Sequence, residues 1–104
     1  MKLPEVYQRL LAINGEAHAL ASYQVAYHAL AAALHAANDD HDEPGVLEVM
    51  KLAEEQIDWI DAHDSAHPLA TASAAERGHA SVYAMLAQQA KAMALMLRRP
   101  HHAP

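Results

Sequence analysis

Positions 3, 6, 10, 13, 17, 20, 24, 27, 31 and 34 carry Leu3, Val6, Leu10, Ile13, Ala17, Leu20, Gln24, Tyr27, Ala31 and Leu34. All but Gln24 are apolar or aromatic, at alternating three- and four-residue steps. That spacing belongs to one helix face, and to the seam of a helix packed in coiled-coil fashion. No segment alternates with the two-residue period of a half-buried strand. The expected fold class is therefore all-α.

The stripe predicts one long first helix from Leu3 to about Asn38. Pro4 and Glu5 suit a first turn. Asn38, followed by "DDHDEPG", suits an end. The dipeptide Asn14-Gly15 could kink or break the helix, but the register runs through it unbroken, which favours continuity. A second helix begins near Pro44 and stops before Pro68, because the residue before a proline resists helical geometry. Its stripes are Val46, Met50, Ala53, Ile57 and Ile60, with Val49, Leu52, Gln56 and Trp59 beside them. A third is announced by "SAAE", where Ser73 and Glu76 fit a capping box. It carries His79, Val82, Leu86, Gln89, Met93 and Met96 along one stripe and ends at Arg99-Pro100. The connections are short, so the expected architecture is an antiparallel up-down-up bundle of three long helices over residues 1–100. The tail 101–104, "HHAP", is expected to fray.

At about 1.5 Å per residue the first helix would be roughly 48 Å long and the second roughly 30 Å. The start of the first then overhangs, carrying Leu3, Val6, Tyr7, Leu10, Leu11 and Ile13. An apolar ridge of that kind marks an interface. Either Asn14-Gly15 folds it back as a fourth helix or a second chain covers it, and a homodimer is the preferred reading. Met93 and Met96 join the expected interface, because Met85, Met93 and Met96 with Leu86, Leu95 and Leu97 leave the end of the third helix apolar all round. That reads as core or a partner groove, with copper binding by these methionines as the alternative.

Composition supports the same preference. Alanine makes up 25 of the 104 residues and phenylalanine is absent. Alanine forms helices readily but buries little surface, so a second subunit is a common way to add core. Cysteine is absent, which excludes disulfides and thiolate chemistry. A net charge of -6 argues against nucleic-acid binding, which needs clustered Lys and Arg. Arg98-Arg99 is better placed to offset a helix dipole. No apolar run reaches the roughly 20 residues of a membrane span, and the N-terminus lacks the apolar stretch of a signal peptide. A soluble, cytoplasmic protein is expected.

One stretch suggests chemistry. Residues 58–80, "DWIDAHDSAHPLATASAAERGHA", hold three histidines, three aspartates and a glutamate. Folding the hairpins about residues 41 and 70 brings His18, His63 and His79 to one layer, each from a different helix. His67 lies one turn from His63, and Glu16, Asp64 and Glu76 are close in height. Imidazoles with a carboxylate from Glu76 or Asp64 make a reasonable shell for zinc, nickel or iron, so a divalent-metal bundle is the alternative reading. Against it, the chain has nine histidines, which makes chance alignments easy. The pattern His63-x-x-x-His67 also lacks the glutamate of H-E-x-x-H, Asp64 standing in its place. His28, His35 and His41, with His101 and His102, read as a solvated face; on a partner surface they would make an interface respond to pH. Tyr7, Tyr23, Tyr27 and Trp59 read as packing among small side chains rather than as a ligand pocket. Ser65, Ser73 and Ser81 have no nucleophile elbow around them, and "NDDHDE" lacks the ligand order of a calcium loop. The favoured function is a non-enzymatic, homo-oligomeric interaction or regulatory module, with a further protein partner possible in principle.

Overall fold

The computed structural model describes residues 1–99. It is all-helical, with α1 at Leu3–Ala19, α2 at Tyr23–Asp39, α3 at Glu43–His63, α4 at Thr71–Glu76 and α5 at Val82–Arg98. The expected tail at 101–104 lies outside the described residues. No helix among them is long and apolar enough to cross a membrane.

The long first helix is not one helix. The chain turns back at Leu20–Ser22, and Asn14-Gly15 lies inside α1. Ser22 N–H donates to Ala17 O at 2.9 Å and Ala21 N–H to His18 O at 3.0 Å, with Ala21 at φ 58°. This is the Schellman arrangement, with a left-handed residue just beyond the cap. α2 ends the same way: Asp42 N–H donates to Ala37 O, His41 N–H to Asn38 O, and His41 stands at φ 54°. Both left-handed positions are filled by ordinary L-residues rather than glycine.

The overhang is thereby folded back inside one chain. α1 packs chiefly on α2, α3 on α5, and α2 touches α3 and α5 as well. Tyr7 is buried, while Val6, Leu10 and Leu11 are half-buried against the core. Leu3 and Ile13 remain exposed. The segment that was expected to need a second chain is mostly covered by its own.

Three tertiary bonds fix how the helix ends meet. The Tyr7 hydroxyl, near the start of α1, donates to Glu48 Oε1 at 2.5 Å and lies 3.1 Å from Gly45 O, near the start of α3. The Tyr83 hydroxyl, in the first turn of α5, donates to Tyr23 O at the first residue of α2 (2.7 Å). Arg98, at the end of α5, donates to Glu43 Oε1 through Nη2 at 2.6 Å, at the start of α3. So α1 and α3 begin at one end of the bundle, and α2 and α5 begin at the other.

The core holds Leu30, Leu34, Val46, Val49, Ile60 and Tyr83, with alanines of α2, α3 and α5 between them. One polar pair lies within it. Asn14 Nδ2 donates to Ala26 O (2.7 Å) and Gln56 Oε1 (3.0 Å), and Gln56 Nε2 donates back to Asn14 Oδ1 (2.7 Å). Each amide is satisfied by the other, so burial carries no unpaired group, and the pair sets the height of α1 against α3. At the start of α3, Asp42 accepts from Gly45 N–H at 3.0 Å. A Cβ on Gly45 would collide with that carboxylate, which explains glycine inside a helix here.

The expected third helix also starts later. Ser73 lies within the short α4, whose N-cap is Ala70, and caps nothing. Ser81 caps α5 instead, accepting from Ala84 N–H at 2.9 Å. His79 accordingly stands in the connection between α4 and α5 rather than on a helical stripe.

Candidate functional site

Two surface features stand out among the described residues. The first is a row of rings where the α1–α2 turn meets the last turn of α3. His63 stacks on Trp59 (3.6 Å between centroids, 18°). Trp59 meets the edge of His18 at 6.1 Å, His18 tilts on Tyr23 at 5.4 Å, and Tyr23 meets His67 at 4.9 Å. Of the three histidines expected to share a layer, His18 and His63 are gathered in one row and His79 is not; His67, expected one turn from His63, joins the row, with aromatic rings between all of them.

Their hydrogen bonds say what each imidazole can do. His63 Nδ1 lies 3.0 Å from Trp59 O, so it carries the proton and donates. His67 Nδ1 accepts from Leu69 N–H at 3.0 Å, so the proton sits on Nε2 and neither nitrogen offers a free lone pair. His18 Nδ1 is buried with no partner, and burial lowers the basicity of this ring. His79 Nδ1 donates to Ala80 O at 2.8 Å on another loop. Glu76 is exposed at the end of α4, and Asp64 forms the cap of α3. Among the described residues no group of three or more His, Asp or Glu side chains could hold a metal ion. Beside the row is a hollow of about 340 Å³, lined by His18, Ala19, Ala21, Tyr23 and Trp59. No carboxylate or ammonium lines it, and its rings already pack on one another.

The second feature is larger: an open groove of about 640 Å³ between α3 and α5. Met50 and Ile57 of α3 and Ala84, Ala87 and Leu95 of α5 give it an apolar lining. Glu54 and Asp58 stand on the α3 side, Gln88 and Lys91 on the α5 side. Leu95 is 57% exposed, and the exposed Met85 and Met96 continue the apolar surface around α5. Of the residues expected at an interface, Met96 is exposed here, while Met93 is half-buried against the core. The sequence shows this end of the helix to be apolar all round, but carries no sign of the groove. The steps Ala84, Gln88, Lys91 and Leu95 follow one helical face, yet only the neighbour α3 makes that face a concave surface.

No family model, no curated protein and no solved structure matches this chain.

Proposed function

We propose that this chain is a non-enzymatic, self-associating interaction module whose contact surface is the α3–α5 face. The observation that carries the reading is the groove itself, with Leu95 exposed on its wall. Its alanine lining lets another helix approach closely, as small residues do at helix–helix contacts. Methionine and leucine beside it supply adaptable apolar area. A contiguous apolar surface rimmed by charge is the usual mark of a protein contact.

Sedimentation velocity over a range of concentrations tests this. The wild-type chain is expected to sediment as a dimer at high concentration. Leu95→Glu is expected to be monomeric, with a melting temperature equal to wild type when both are compared at a concentration too low for dimers, because the side chain is in water in the single chain. A wild-type chain that stays monomeric throughout overturns the proposal.

A further inference from the structure

We propose that two copies join face to face on the α3–α5 groove about a two-fold axis running along it, so that Lys91 of each copy meets Glu54 of the other. This rests on the reading of that face as the self-association surface and adds the geometry.

The register comes from the chain itself. Arg98 bonds Glu43, so α3 and α5 run in opposite senses and residues along them can be matched by height. Counting back at about 1.5 Å per residue places Lys91 level with the turn holding Met50 and Glu54, and Ala84 level with the turn holding Ile57 and Asp58. All of these line the one groove. The ion pairs found among the described residues are Lys51–Glu55 and Arg98–Glu43. Lys91, Glu54 and Asp58 are exposed and take part in neither. The groove thus has an acidic α3 side and a basic α5 side, each without a partner in its own chain.

Two ways of laying such a surface on a second copy follow two-fold symmetry. An axis running across the groove stacks α3 on α3 and sets acid against acid. An axis running along it lays α5 of one copy on α3 of the other. Every helix then has antiparallel neighbours, and Lys91 comes within about a turn of Glu54 twice over, once in each direction. Asp58 falls opposite the turn of Ala84, where no like charge stands. Like charges brought together at an interface oppose it, whereas rim pairs of opposite sign fix its register. The charge pattern therefore selects the second arrangement. Ala84 and Ala87 at the floor allow the close helix approach that a four-helix interface of this kind needs.

The test uses two charge reversals. Lys91→Glu makes both sides of the groove acidic, and Glu54→Lys makes the α5 side and the Glu54 position basic together. Each variant alone is expected to self-associate at least about tenfold more weakly than wild type, since two pairs become two repulsions. An equimolar mixture of the two is expected to recover dimer to within a few-fold of wild type, read as the heterodimer mass by native mass spectrometry. Both positions are exposed in the single chain, so melting curves taken at a concentration too low for dimers should be unchanged. Single variants that dimerise like wild type, while Leu95→Glu does not, overturn this register and leave the contact face standing. Dissociated variants that fail to recover on mixing also overturn it. A monomeric wild type removes the contact face and the register together.

Discussion

His18 shows how one side chain can look like a ligand and behave otherwise. Its height along the bundle suggests a layer with His63 and His79; the fold brings it near His63 and His67 instead, and Trp59 and Tyr23 fill the intervals. His67 is the clearest obstacle to shared ligation, because its Nδ1 is spent on Leu69 N–H. His18 keeps Nδ1 sealed and unpartnered, so a proton there would meet no acceptor. Burial accordingly lowers its affinity for the proton. In the unfolded chain an imidazole protonates near pH 6.5, whereas in the folded chain His18 does so only at lower pH. The contribution of neutral His18 is then fully present above about pH 6.5 and declines as acid protonates the unfolded form first. Melting temperatures of wild type and His18→Phe, which keeps a ring in the row, should separate in slope between pH 7.5 and 5, the variant being flatter. Parallel curves would show that His18 contributes nothing to the pH dependence.

At the scale of the helix, what could be read and what could not have specific causes. α3 was legible because its signals are chemical: Pro44 occupies its first turn, and Val46, Ala53, Ile57 and Ile60 keep a helical period; the cap at Asp42 was not read. The end of α1 was not legible. Its left-handed position is Ala21, where glycine or asparagine would have marked a stop. The apolar stripe also passes straight through the turn, although beyond it only Leu34 is fully buried, with Tyr27 and Ala31 half-buried at the edge of the core. The buried face of α2 runs through Tyr23, Ala26, Leu30, Ala33, Leu34 and Ala37, centred about one residue off the stripe of Gln24, Tyr27, Ala31 and Leu34. In α1 the error is the reverse: Asn14 looked like a breaker and is a core residue, while Ile13 on the stripe is 46% exposed. A paired experiment separates the two break points. Gly15 is helical and a Cβ there meets open space, so Gly15→Ala should stabilise by about 0.5–1 kcal/mol. Ala21→Gly should stabilise by about 0.5 kcal/mol, since relief of the left-handed alanine outweighs the added freedom of the unfolded chain. Both changes should raise the melting point by a few degrees in thermal denaturation. A helix broken at Asn14-Gly15 would give the opposite sign at Gly15.

The whole molecule divides its apolar surface between two uses, and α1 and α5 stand on opposite sides of that division. A chain this rich in alanine needs every large side chain it has. Folding α1 back places Tyr7, Leu10 and Leu11 against the core that three helices alone would leave thin. The same economy does not extend to α5, where Leu95, Met85 and Met96 stay in water. A charge introduced on each helix should therefore act on a different property. Leu10→Asp sets a carboxylate against the core. It should cost about 2 kcal/mol and lower the melting temperature by about 10 °C, without changing the mass of whatever remains folded. Leu95→Glu should change the mass and leave the intrinsic melting of the monomer where it was, compared at a concentration too low for dimers. Calorimetry and sedimentation on both variants give four readings. If Leu10→Asp instead released a stable, fully folded monomer from a dimer, the N-terminal helix would be the contact surface, and the division of labour between α1 and α5 would be reversed.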